Sequence, residues 1–229
     1  MESRARNLVV LLLATLAGGW LAGARADSAA AAYKEIGLQS KDVLSGTTLS
    51  AKVMHGETKQ LVCLTTYLTG ERDEATAVGV RLDVFEMSGK RLLSKYTREF
   101  GAERAGAVGR GDLQLIDLDR DGISEIIVAY ETYDEPLIEQ KLGEVIVHDE
   151  DGFRTAWSGP MSYDATRAAR AVPQERRDRY YRELDFVATM RTRGVSLMFN
   201  KTMIAVAGQR LESPKVVQES FPLKARQDG

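Results

Sequence analysis

The chain has 229 residues, 44% of them hydrophobic and 28% charged, a globular balance on a length that builds one ordinary domain or two small ones with a workable core. Its 31 basic and 33 acidic residues leave a formal charge of −2, so no global attraction draws it to nucleic acid or to an anionic membrane surface. A single cysteine, Cys63, excludes an internal disulfide framework.

The segment 1–26 differs from the rest. Arg4 and Arg6 precede "LVVLLLATLAGGWLAG", and "ARA" at Ala24 to Ala26 supplies small residues ahead of Asp27. This is the pattern of a cleaved secretory signal peptide over 1–26. The apolar run is marginal in length for a membrane anchor, so no stable span is expected after cleavage. Removal of Arg4, Arg6, Arg25 and Glu2 leaves 28 basic against 32 acidic residues, a charge of −4. The expected destination is periplasmic or extracellular. Residues 27–57, rich in Ala, Ser, Gly and Lys, read as an N-terminal arm in which "AAAAYKEIGL" either forms a short helix or stays loose.

Residues 58–229 read as a β-repeat domain, because short apolar or alternating runs are separated by Gly, Asp and Asn. "LVCLTTYL" opens the series and carries Cys63 as a small buried hydrophobe. "LDVFEMSGKRLLS" and "VIVHDEDGFRTAW" have the form of hairpins. The interval from Gly89 to Gly152 equals that from Tyr67 to Tyr130. A weaker third copy, "LDFVATM" then "GVSLMFNKTMIAV", sets Phe186 a slightly shorter interval after Ile127 and places a turn at Asn200 and Lys201. The expectation is a mainly β fold of antiparallel sheets from about three repeats, each a strand followed by a hairpin. Ahead of the third copy, Pro173 opens a predicted short helix near 173–184. The surrounding arginines, Arg167, Arg170, Arg176, Arg177, Arg179 and Arg182, make a solvated basic face or a patch for an anionic surface or glycan.

The chemistry concentrates in "DLDRDGISEIIVAY". With Asp117 as position 1, carboxylates fall at 1, 3, 5 and 9 (Asp117, Asp119, Asp121, Glu125), Gly122 sits at 6, and Ile123 at 7 offers a backbone carbonyl. Calcium takes six to eight hard oxygen ligands, and a tight loop of alternating carboxylates supplies them. Magnesium prefers fewer protein ligands, and transition metals favour the His or Cys that the loop lacks. Val128 stands at position 12, where an EF-hand needs a bidentate glutamate, and "EIIVAY" is a strand former.

These residues resemble the FG-GAP or VCBS type of repeat, also seen in the integrin alpha-chain head, in which an Asp-x-Asp-x-Asp-Gly-x-x-Asp loop feeds a strand. The resemblance is carried by "DLDRDGISE", with Glu125 in the last acidic place, and extends over Asp112 to Gly159. It implies propeller-blade-like repeats, here a partial or atypical β-propeller, and one Ca2+ held by Asp117, Asp119, Asp121, the Ile123 carbonyl and Glu125. The places one period earlier, "MHGETKQ", and one period later, "RYYRELD", lack the ligands.

Other signals carry less. "RGD" at Arg110 to Asp112 is too short to mark an adhesive site. "HDEDG", His148 to Gly152, reads as a hairpin turn, and "NKT" from Asn200 as a turn that matches a glycosylation acceptor pattern. Only His55 and His148 are histidines, and no nucleophile-elbow, zinc-protease or phosphate-loop motif is present. The expected function is therefore an exported, non-enzymatic calcium-binding module with a protein or glycan partner. Two rivals stand beside it: a periplasmic hydrolase or lyase with a structural calcium site, and a structural subunit whose sheet a partner chain completes.

Overall fold

A computed structural model describes residues 31–69, 77–89, 91–100, 107–133, 138–168, 172–190 and 194–224. The signal-peptide segment 1–26 lies outside them. Among the described residues eleven strands form two antiparallel sheets, each following chain order. The smaller contains β1 (Val43–Ala51), β2 (Gln60–Thr69), β3 (Ala77–Ser88) and β4 (Arg91–Phe100). The larger runs β5 (Ala107–Ile116), β6 (Glu125–Tyr133), β7 (Glu139–Asp149), β8 (Gly152–Asp164), β9 (Arg179–Met190), β10 (Gly194–Val206) and β11 (Gln209–Lys224). Among the described residues no helix is long and apolar enough to cross a membrane.

The mainly β expectation holds, as two antiparallel sheets and not as separate propeller blades. Because every strand pairs with its neighbours in sequence, the triplets β2–β4, β6–β8 and β9–β11 can be marked off as a strand and a hairpin, but so can other consecutive strands, and the order alone does not make repeats. Pairing of β2 with β3 and of β6 with β7 even shares the interval seen in the sequence: Leu64 faces Leu82 as Ile127 faces Val145, and Tyr67 faces Gly79 as Tyr130 faces Leu142. The correspondence slips at the hairpins. Gly89 lies inside the first turn, between Ser88 and Arg91, whereas Gly152 already pairs with Asp149. The third triplet has its own register: Phe186 faces Met198, where the interval from Ile127 to Phe186, applied to Val145, calls for Ile204. Nor are the second and third triplets separate sheets, since β8 and β9 pair through Ser162–Asp164 and Arg179–Tyr181.

Two local expectations are corrected and one alternative is decided. The N-terminal arm takes the helical alternative: a helical turn over residues 31–35 seats Ala32 against Cys63 and Phe85, and β1, which begins at Val43, pairs with β2 along its length. Its threonines and serines hid the strand, because an edge strand with largely exposed faces needs little apolar alternation. The helix near 173–184 shrinks to a 3₁₀ turn over Gln174–Arg176, and Arg179–Leu184 belong to β9. There Tyr180, Arg182 and Leu184 alternate with Tyr181 and Glu183, a period of two that the count of arginines obscured. Asn200 and Lys201 lie within β10, opposite Gln218 and Val217. The turn falls instead at Ala207 and Gly208, with φ of 50° and 78°. Two successive positive φ values suit the right-handed twist of a two-residue hairpin.

The sheets pack face to face. Val62, Leu64, Val80, Leu82 and Phe100 of the smaller sheet meet Leu113, Ile126, Val128, Tyr130 and Ile146 of the larger in one core. Burying each such side chain contributes about 1.5–3 kcal/mol. β5 approaches closely enough that a Cβ on Gly111 would lie 2.8 Å from Leu64 Cδ2 and 3.2 Å from Val80 Cγ1. Between the sheets Arg98 of β4 donates to the buried Glu144 of β7 at 2.9 Å. Further along β7, His148 meets His55 of the β1–β2 connection edge-on at 5.4 Å and packs against Phe153 at 4.8 Å. Burial pushes the His148 imidazole below its ordinary value, His55 adds to the effect, and Asp149 opposes it.

At this interface Gly111→Ala overpacks Leu64 and Val80 and lowers unfolding free energy by roughly 1–3 kcal/mol, read from urea melts. For His148 the folded-state value is depressed, so the unfolded chain takes up the proton first as pH falls. Its contribution is complete above about 6.5 and is lost as pH falls from there through the folded-state value. Urea midpoints fall from pH 7.5 to pH 5.5, and His148→Gln flattens that slope.

Candidate metal centre

The loop from Asp117 to Ser124 joins β5 to β6, and its backbone is held by its own acids. Asp117 accepts from Asp121 N at 3.1 Å through Oδ1 and from Gly122 N at 3.0 Å through Oδ2. Asp119 Oδ1 accepts the same Asp121 N at 3.3 Å, and Asp121 Oδ1 accepts from Ile123 N at 2.8 Å. Two residues take positive φ, Arg120 at 65° and Gly122 at 84°. Gly122 has nothing within 4 Å of an added Cβ, so glycine is needed there for its conformation, not for space.

Asp117, Asp119 and Glu125 each place a carboxylate oxygen within 4.8 Å of the other two. Of the five residues read from the sequence, these three converge. Asp121 is outside the group and caps the turn, while Ile123 puts its side chain into the interior at 6% exposure. Glu125 is 1% exposed, although Asp117 is exposed. Its Oε2 accepts Leu118 N at 2.7 Å, which tethers the loop's start to its end. A buried carboxylate beside two others favours a bound cation, because repulsion and lost hydration both disfavour the charged set. Oxygen-only donors suit a hard ion, and the three side chains leave positions for backbone carbonyls and water.

One contact had no local signal in the sequence. Ser124 N donates to Lys52 O at 2.7 Å, so the acidic loop is fastened to the β1–β2 connection of the other sheet. Lys52 and Ser124 are separated in the chain by three whole strands of the smaller sheet and one of the larger, and neither residue type marks such a bond.

The remaining signals find structural places. The RGD backbone lies within β5, with Gly111 against the core and Asp112 paired to Lys141 Nζ at 2.5 Å. The "HDEDG" acids make a turn: Asp149 accepts Arg154 Nε at 2.5 Å and Asp151 N at 3.1 Å, and Arg154 holds the Asp149 carboxyl below its usual range. Cys63 is buried, and burial raises its thiol to about 11, so it stays protonated and unreactive at neutral pH. Two of the arginines are drawn inward, Arg182 at 11% exposure and Arg177 half-buried. Arg182 donates to Glu219 Oε2 at 2.6 Å and to Pro160 O at 2.5 Å, Arg179 pairs with Asp164 at 3.3 Å, and Arg177 donates to Val172 O at 2.8 Å. Arg167, Arg176 and Arg179 remain exposed, and Arg170 is outside the described residues.

No protein-family model, curated protein or solved structure matches the chain.

Proposed function

We propose that the chain is an exported, calcium-binding β protein that acts as a non-enzymatic binding module, with one Ca2+ held in the β5–β6 loop. The observation that carries this reading is the burial of Glu125 beside Asp117 and Asp119. Asp117, Asp119 and Glu125 supply side-chain oxygens, Ile123 its carbonyl, and Asp121 either a direct or a water-bridged carboxylate. The blade-like reading rests on the loop motif and on the shared interval of the β2–β3 and β6–β7 pairings. It takes β6–β8 as the one atypical blade with ligands intact. Calcium in this reading is structural: it neutralises the loop and fixes the entry of β6.

A partner-binding role is supported by the absence of a recognised catalytic motif from the sequence and by the pairing of acids elsewhere. Asp112 is joined to Lys141, Glu144 to Arg98, and Asp149 to Arg154. These carboxylates are occupied by cations of the chain itself, which leaves the loop as the place where acids converge among the described residues.

Binding to the folded state alone adds about 2.7 kcal/mol when free calcium is a hundredfold above Kd. For a domain of this size Tm then rises by roughly 5–10 °C. Asp119→Asn with Glu125→Gln keeps acceptor oxygens for Asp121 N and Leu118 N but removes two charges, so this variant folds and loses the calcium response. Asp119→Ala with Asp121→Ala loses it as well. Thermal melts in EGTA and in millimolar calcium check both, and calorimetry reads the stoichiometry, expected as one ion per chain. Identical melts of the unaltered chain with and without calcium would sink the proposal.

A further inference from the structure

The larger sheet curls, so that Leu223 and Phe221 of β11 come to lie against Val145, Trp157 and Phe199. Its face turned away from the smaller sheet encloses a groove of about 530 Å³, within the span of about 300–1,000 Å³ typical of small-molecule sites. Register explains the hollow. Ala129 of β6 faces Gly143 of β7, which faces Gly159 of β8, so three neighbouring strands carry almost no side chain in one row. The indole of Trp157 and the thioether of Met161 occupy part of that space. A Cβ on Gly143 would fall 2.5 Å from Met161 Cγ and 3.3 Å from Trp157 Cζ3, and one on Gly159 would fall 3.2 Å from Trp157 Cζ2. Ile127, Val145 and Leu184 complete an apolar floor.

The rims decide what such a floor would accept. On one side Asp112 and Lys141 form an ion pair at 2.5 Å, with side chains 49% and 35% exposed. On the other, Tyr181 is 38% exposed, Glu183 adds an exposed acid, and Arg182 already holds Glu219 and the Pro160 carbonyl. Neither rim offers a surplus cation for a carboxylate or a phosphate monoester. The Asp112–Lys141 pair instead presents both signs side by side to solvent, complementary to a head group that itself carries both. An apolar trough with this rim suits an amphiphile whose head sets an anion against Lys141 and a cation against the acids.

We infer that this groove binds a single-chain amphiphile with a zwitterionic head, its chain over Trp157, Met161 and Ala129 and its head at Asp112 and Lys141. The site is separate from the acidic loop and stands whether or not that loop holds calcium.

Trp157 makes the test direct, since the chain has two tryptophans and the other is Trp20. In the full chain carrying Trp20→Phe, dodecylphosphocholine labelled with bromine on its chain, added below its micelle-forming concentration, quenches Trp157 saturably. Ala129→Phe, which fills the row of small residues, weakens that binding at least tenfold while the thermal melt stays cooperative. Asp112→Asn with Lys141→Gln leaves the trough intact; it weakens the zwitterion at least fivefold and leaves a bromine-labelled dodecyl maltoside unchanged. Quenching that is non-saturable, or that appears only with micelles, overturns the site. Unaltered affinity in both variants does so as well, and tighter binding of labelled laurate overturns the head-group assignment. A concentration-dependent dimer abolished by Ala129→Phe would place a second copy on this face and equally overturn the proposal.

Discussion

The register of β6 between β5 and β7 is the constraint on which the rest of the molecule depends. Successive residues of a strand face opposite sides, and β6 uses both. Ile126, Val128 and Tyr130 enter the core shared by the two sheets, while Ile127 and Ala129 line the groove. Glu125 begins the strand opposite Ile116 and carries its carboxylate back beneath the acidic loop. A slip of one residue would expose the core set and bury the other, so the penalty for misregister is felt on both faces. Core, loop and groove are therefore positioned by one set of pairings.

The acidic loop gains from this arrangement. Its three converging carboxylates belong to a short chain reversal whose ends are the last residue of β5 and the first of β6, and those two pair directly. The bond from Ser124 N to Lys52 O carries the same reference frame to the smaller sheet. Neutralising the loop would thus steady a junction between the sheets as well as a turn. The His55–His148 contact lies on the same β1–β2 connection, which meets the larger sheet at two points of different chemistry: a backbone hydrogen bond by the loop and a ring contact by the β7–β8 hairpin.

What could be read from the sequence followed the strength of local signals. Strands with period-two apolar runs, such as "EIIVAYE" and "GEVIVHD", and the acidic spacing around Gly122 declare themselves within a short window. β1 did not, because Thr47, Thr48 and Ser50 serve an edge with little to bury. The start of β9 was masked by arginines that look solvated in sequence; Arg182 is held at 11% exposure by Glu219, a partner two strands further along the chain. The turn at Asn200 was the reverse error. A favourable turn residue lost to pairing on both sides of β10, and the less conspicuous Ala207–Gly208 took the positive φ values. Long-range pairing outweighed local preference in each case.

The curl that makes the groove has a local cause of the same long-range kind. Register shifts interrupt the ladder between Lys141 and Leu142, between Val145 and Ile146, between Met198 and Phe199, and between Met203 and Ala205. An extra residue on one strand bends it and increases its right-handed twist. The β8–β9 pairing that joins the two bulged regions spans three residue pairs, where β7–β8 spans eleven. A sheet bulged on both sides of so short a seam folds toward itself without losing its continuous backbone ladder, and the seam is where it bends most easily. The glycines at 143 and 159 lie just beside that seam, so Trp157 can lie flat as the strands converge and stack on Phe199 at 4.5 Å. Side chains larger than hydrogen there would oppose the curl, and it is their absence in register that leaves a trough where a flatter sheet would present an open face.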